Sequence, residues 1–236
     1  MTAYNTRRAK TVIAISQSTK NELVKYIGAD PEKIIVIPQG AVAQFQMIKD
    51  RSILDRVTKR YQLSPSFLLY CGVHKKHKSL ERLISAYDQL PTTIKQRFLL
   101  LITGKPGVDT DSLRSQVKQR SLENNIHFIG YVPKDHLPTL NTLASLSTLP
   151  CFYEGFGVTP IESMACGTPA IGSNTSAIPE VVGDAGRLFD PYSINDITQK
   201  IVTAIPHDVN SQAVQQKCLD HVKQFSWDIK DVSTSK

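Results

Sequence analysis

From position 66 onward the chain alternates between short continuous apolar runs and longer stretches in which apolar residues recur every three or four positions. The runs SFLLYCG (66–72), RFLLLITG (97–104), IHFIG (126–130), LSTLPCF (146–152), PAIGS (169–173) and RLFD (187–190) read as strands. Between them, KSLERLISAYDQL (78–90) puts Leu80, Leu83, Ile84 and Tyr87 on one helical face, and DSLRSQVKQRSLENN (111–125) repeats the pattern. KDHLPTLNTLA (134–144) reads as a short helix interrupted by Pro138; a helix beginning near Thr159, a short one at IPEVVG (178–183) and terminal helices complete the set. Strands without polar alternation, each followed by a helix, predict a parallel sheet covered on both faces, a doubly wound Rossmann-like α/β domain.

The first 40 residues run strand, helix, strand through KTVIAIS, STKNELVKYIG and KIIVIPQG. One β-α-β unit cannot bury both faces of its strands, so this segment predicts a partner upstream or in trans. The expected organisation is a β-α-β remnant at 1–40, a linker and entry helix at 41–62 containing RSILDRVTKRYQL, a ligand-binding domain at 63–225, and a short tail at 226–236.

Composition narrows the class. With 41% hydrophobic and 21% charged residues the chain reads as globular, with disorder expected only in the final VSTSK. No run of about 18 apolar residues appears, and MTAYNTRRAK lacks the apolar core of a signal peptide, so the expected address is the cytoplasm. A net charge of +7 favours phosphates, nucleotides or peripheral contact with the inner membrane face. The aromatics lie mostly in apolar runs, which argues against nucleic acid as a partner. Cys71, Cys151, Cys166 and Cys218 show no paired spacing and read as free thiols.

Ligands of open parallel sheets sit at the carboxyl ends of strands, against the following helix starts. In CFYEGFGVTPIESMACGTPAI (151–171), Gly155 and Gly157 permit close backbone approach, and the helix start suits an anion. Thr159, Pro160 and Glu162 read as a capping box, whereas Glu154 at a strand end has a solvated carboxylate as its only structural explanation. CGVHKKHKSL (71–80) crowds Lys75, Lys76 and Lys78 at a helix start, where cations oppose the dipole unless a diphosphate binds. Those lysines argue against a metal at Cys71, His74 and His77. Asp109 and Asp111 read as cap and first-turn residues of a helix rather than as a metal pair. At FIGYVP, the backbone of Tyr131 and Val132 could meet the edge of a planar base.

Taken together these stretches resemble the retaining glycosyltransferases of family four, which have the two-domain GT-B fold. The resemblance covers nearly the whole chain. VIAISQSTKNELVKYIGADPEKIIVIPQG looks like the end of the N-terminal acceptor domain, and residues from about 62 look like the donor-binding domain. Its most specific element is the glutamate pair in YEGFGVTPIESMACGTPAI, followed by SNTSAIPEVVGDAG. The resemblance implies that Glu154 bonds hydroxyls of the donor sugar and Glu162 the ribose. It places the backbone of Gly155, Phe156, Gly157, Val158 and Thr159 beside the sugar diphosphate. Lys78 becomes the phosphate-binding lysine, Gly72 the close-approach glycine, and Tyr131 with Val132 the base-contacting segment. The family often has arginine directly after that glycine; Val73 stands there, with Lys75 as the substitute.

The implied donor is a UDP-, GDP- or ADP-sugar used without a metal or other cofactor. The implied acceptor is a glycan, a lipid-linked sugar or a small molecule. The family's acceptor site lies in its N-terminal domain, so the chain is expected to act with a complementary N-terminal polypeptide or through self-association. FSWDIKDVSTSK resembles the start of the segment that crosses back to that domain. The alternative is a non-catalytic nucleotide-sugar-binding module. A glycoside hydrolase using Glu154 and Glu162 is a third reading, and fold alone does not separate sugar-nucleotide epimerases or sugar-phosphate synthases.

Overall fold

The structure, a computed structural model, describes residues 3–40, 43–205 and 211–225. Six parallel strands form the main sheet: β3 (Phe67–Cys71), β4 (Leu99–Thr103), β5 (Ile126–Gly130), β6 (Leu146–Leu149), β7 (Ala170–Ser173) and β8 (Arg187–Phe189). Each expected strand is present. Their spatial order is β5-β4-β3-β6-β7-β8, so the chain winds outward from β3, returns beside it at β6 and winds the other way.

The continuous apolar runs follow from burial on both sides. Leu68 and Tyr70 pack with α4 (Leu80–Asp88), α6 (Thr110–Gln119) and α10 (Ile194–Ala204) through Leu83, Ile84, Tyr87, Leu113, Val117, Ile197 and Ile201. Phe67 and Leu69 point the opposite way, toward Val57 of α3 (Arg51–Tyr61) and Leu140 of α7 (Leu137–Leu143). On that second side Met164 of α8 (Val158–Ala165), Ile178 and Val182 of α9 (Ile178–Val182), and Cys218 of α11 (Gln212–Val222) cover Leu149 and Ala170.

Two expectations change. Pro138 does not interrupt its helix but occupies the first turn of α7, where its missing N–H costs no hydrogen bond. Two short helices, α1 (Ala3–Arg8) and α5 (Thr92–Arg97), had no readable apolar face; the latter has Ile94 as its single aliphatic residue.

At the N-terminus β1 (Val12–Ala14) and β2 (Ile34–Val36) pair in parallel around α2 (Gln17–Ile27). Val12, Ala14, Ala29 and Ile34 form a small core beneath Leu23 and Val24. On the other face Ile13 and Ile35 are 61% and 45% exposed. Several contacts fasten the unit to the main domain, among them the packing of Ile15 against the Phe156 cluster and the bond from Thr19 Oγ1 to the Gly155 carbonyl at 3.2 Å. Ser16 Oγ donates to the Gly155 carbonyl at 2.9 Å, and Tyr153 Oη donates to Glu22 at 2.8 Å. The Glu180 carboxylate accepts from the Gln17 and Ser18 amides at 2.8 and 2.7 Å, capping α2 from outside its own segment. Residues 41–42 of the expected linker and the whole expected tail, 226–236, lie outside the described residues.

Candidate functional site

The reversal of winding places the carboxyl ends of β3 and β6 side by side, the position at which open α/β sheets hold ligands. Beyond β3 the chain passes Gly72 and Val73 into a 3₁₀ turn at Lys76–Lys78, and Ser79 takes a left-handed φ of 53°. The Phe152 amide donates to the His77 carbonyl at 2.8 Å, tying this basic loop to the one after β6. Gly72 is crowded on both sides: a Cβ there would meet Tyr70 Oη at 2.9 Å, and one on neighbouring Gly104 would lie 1.9 Å from the Gly72 carbonyl oxygen.

Lys78 and Glu154, 76 residues apart, form an ion pair across the switch point. Their side chains are only 14% and 27% exposed, so neither the ammonium nor the carboxylate is the freely solvated group that its sequence position allowed. Ser176 holds the Glu154 backbone from both directions: its hydroxyl donates to the Glu154 carbonyl at 2.5 Å, and the Glu154 amide approaches the same oxygen at 3.3 Å. Three residues on, Gly157 adopts φ 95° as the cap of α8, and a Cβ there would lie 2.5 Å from Ile178 Cδ1. Helix geometry leaves the Val158 and Thr159 amides without intrahelical acceptors, and Pro160 has no amide to satisfy.

The expected capping box is not formed. Gly157 is the cap residue, no side chain caps α8, and Thr159, Pro160 and Glu162 all lie within the helix. Glu162 is therefore released from a structural task. Burial pushes its carboxyl up from 4.5 to about 7, and among the described residues no hydrogen bond or ion pair offsets the loss of water. The Glu162 charge is felt at Cys71, whose thiol burial pushes up to about 12, and at Cys166, also raised to about 12 chiefly by burial. All four cysteines are free thiols, and burial drives each away from the reactive thiolate.

The remaining expected site residues divide. Tyr131 is exposed and Val132 buried against Val57 and Leu140, so the segment offers backbone and one aromatic ring. The Phe156 side chain is core, packed with Ile161, Val181 and Phe225, which leaves its backbone for a ligand. Val73 is part-exposed, and Lys75 lines a separate cavity with Lys76. Asp109 is the cap residue of α6 as expected, yet its side chain makes no capping bond. His74 is buried with Nδ1 bonded to Thr110 Oγ1 at 3.0 Å, and burial lowers its pKa. Sequence reading missed Ser16, Ser176 and Glu180; their contacts depend on how the N-terminal unit and the loop after β7 pack. Among the described residues no helix is long and apolar enough to cross a membrane.

Comparison with known proteins fits this geometry. The chain is 31% identical over 221 residues to the O-antigen chain mannosyltransferase B of Escherichia coli, covering 93% of this chain and 58% of that protein. It is 24% identical to a D-inositol 3-phosphate glycosyltransferase of Corynebacterium aurimucosum, covering 92% of this chain and 53% of the relative. It thus spans little more than half the length of these relatives. HepE of Anabaena, solved with UDP and glucose, superposes with a TM-score of 0.82 at 22% identity over 94% of this chain and 61% of its own. That likeness identifies the doubly wound sheet as the C-terminal half of a GT-B fold. The glycosyl transferases group 1 family matches residues 55–216, well over half of the sequence, and the chain belongs to that family.

Proposed function

We propose that the chain is the donor-binding half of a retaining glycosyltransferase. It moves a hexosyl group from a nucleotide-diphosphate sugar to an acceptor hydroxyl, and an N-terminal half, on the same longer polypeptide or a separate one, supplies the acceptor side. The observation that carries this reading is the Lys78–Glu154 ion pair at the switch point, three residues before the cap of α8. A pyrophosphate set against that helix start meets the Val158 and Thr159 amides, the positive end of the helix dipole and the Lys78 ammonium. As the bond to the anomeric carbon breaks, negative charge grows on the departing diphosphate where these groups already point. Losing one such donor typically costs on the order of a hundredfold in rate.

Glu154 orients the sugar by accepting from its hydroxyls once Lys78 turns toward phosphate. Glu162, partly buried and without a partner among the described residues, accepts from the ribose hydroxyls, and the Tyr131–Val132 backbone meets the base. Lysine and helix supply the positive charge, so the reading requires no metal. The names of the relatives favour a mannosyl donor and a glycan acceptor, and the net charge of +7 favours work at an anionic inner membrane face. The exposed Ile13 and Ile35 support residues 1–40 as the edge of a larger acceptor domain.

The same exposed face favours a second reading, a module that binds nucleotide sugar without transferring it. Calorimetry with GDP-mannose, UDP-glucose and ADP-glucose, on wild type and Glu154→Ala, run beside a transfer assay with and without the N-terminal half, separates them. One nucleotide class binds, the sugar-dependent part of its affinity vanishes in Glu154→Ala, and transfer appears only when both halves are present. Equal sugar-dependent affinity in both proteins removes Glu154 from its role, and failure of every nucleotide sugar to bind overturns the donor reading.

A further inference from the structure

β6 and β7 are neighbours in the sheet, and the end of β7 with the loop beyond it holds the loop after β6 through a row of hydroxyls. Ser173 Oγ donates to the Cys151 carbonyl at 2.6 Å, Thr175 Oγ1 to the Phe152 carbonyl at 3.1 Å, and Ser176 Oγ to the Glu154 carbonyl at 2.5 Å. Residues 151–157 belong to no helix or strand, so the segment takes its position from bonds such as these.

Glu154 depends on its hydroxyl more than its neighbours do. Its amide and its carbonyl, which fix the peptide planes on either side of the side chain, both bond Ser176 Oγ, and the Ala177 amide adds a longer bond to the carbonyl at 3.4 Å. A hydroxyl can donate and accept at once, which neither alanine nor glycine can replace. The next residue, Gly155, is anchored at its carbonyl by Ser16 and Thr19, but the conformational freedom of glycine keeps that anchor from fixing Glu154. Ser176 itself holds φ 56°, a left-handed conformation that glycine adopts freely and that strains a residue with a Cβ. The chain thus keeps a hydroxyl where the backbone favours glycine, and strain retained beside a ligand-binding group points to function.

We propose that Ser176 is a positioning residue for sugar recognition: by holding the Glu154 backbone at both its amide and its carbonyl, it aims the carboxylate paired with Lys78 at the place of the donor sugar. The assignment rests on the donor reading of this site. Displacing such a group by about 1 Å can cost on the order of a hundredfold. Ser176→Ala and Ser176→Gly both remove the hydroxyl, and glycine also relieves the left-handed strain, so the two variants separate positioning from stability. The test is calorimetry with GDP-mannose, UDP-glucose and ADP-glucose, each beside its parent nucleoside diphosphate. The proteins are wild type, the two Ser176 variants, Glu154→Ala, and Glu154→Ala combined with Ser176→Gly. The ratio of nucleotide-sugar to nucleoside-diphosphate affinity should fall about fivefold or more in both Ser176 variants, the worth of one hydrogen bond, while affinity for the bare diphosphate is kept. Ser176→Gly should unfold at or above the midpoint of Ser176→Ala. Once Glu154→Ala is present, Ser176→Gly should change the ratio no further. A ratio unchanged in the single variants, with or without a lower midpoint, overturns the proposal, as does a further fall in the combined variant. Failure of every nucleotide sugar to bind wild type removes the donor reading instead, and a ligand-free comparison then judges the clamp alone. Lys78→Ala should destabilise Ser176→Gly less than it destabilises wild type, because the ion pair is no longer aligned; equal losses in the two backgrounds overturn the clamp.

Discussion

Replacing Glu162 by glutamine removes a charge that the fold shelters at a cost. Burial raises this carboxyl from 4.5 to about 7, and at about 1.4 kcal/mol per tenfold change in proton affinity the ionised side chain costs the folded state on the order of 3 kcal/mol. The folded protein retains a proton that the unfolded chain gives up above pH 4.5. Stability contributed by this residue therefore falls as pH rises from about 4.5 to about 7, and the penalty is complete above that range. Glutamine stays neutral throughout. Glu162→Gln should match wild type in urea unfolding at pH 4, gain over it progressively through pH 6, and exceed it at pH 8 by up to about 3 kcal/mol. In thermal unfolding each kcal/mol corresponds to roughly 2–4 °C for a protein of this size. Ribose hydroxyls donate best to the ionised form, so nucleotide affinity of the wild type should rise through pH 7 and that of Glu162→Gln should stay flat. Parallel stability curves for the two proteins between pH 4 and 8 would refute both the raised pKa and the unpartnered state inferred from it.

Lys78→Ala leaves the largely buried Glu154 carboxylate without its cation; we expect a loss of about 1–3 kcal/mol in urea unfolding, between the values for exposed and buried pairs. The same variant should lose more than tenfold in nucleotide-diphosphate affinity by calorimetry. Gly157→Ala forces a residue with a Cβ into φ 95° and against Ile178, and should cost about 2–3 kcal/mol of unfolding free energy. Adding Ile178→Val, which removes the obstructing Cδ1, should recover only the steric part. Glu180→Ala strips two amide acceptors from the start of α2, a cap worth about 1–2 kcal/mol. Hydrogen exchange should quicken in α2 while β3 and β6 keep their protection; unchanged exchange at α2 would disprove the cross-segment cap.

The six strands were legible because parallel strands covered on both faces are written as unbroken apolar runs, and Phe67 through Tyr70 are all buried. The face of α4 was legible for the converse reason, since Leu80, Leu83, Ile84 and Tyr87 alone satisfy a helical period and all four are buried. The start of α8 was misread. Thr159, Pro160 and Glu162 imitate a capping box, but packing of Ile178 against Gly157 and the left-handed backbone there begin the helix earlier. Local text carried no sign of that contact. Glu154 and Lys78 could each be singled out by position at a strand end, whereas their pairing across 76 residues follows only from strand order. Glu180 escaped notice because its partners lie 162 and 163 residues away in another sheet's helix.

The placement of β3 at the centre of the sheet also governs how the chain is made. One edge of β3 is filled by β4, but the other waits for Leu146 and Ser147, 78 residues after their partners Leu68 and Leu69. At roughly 5–20 residues per second on the ribosome, that edge stays open for about 4–16 s. During this interval a leucine-rich parallel strand with free amides is a template for any neighbouring nascent chain. Recovery from denaturant should therefore depend steeply on protein concentration.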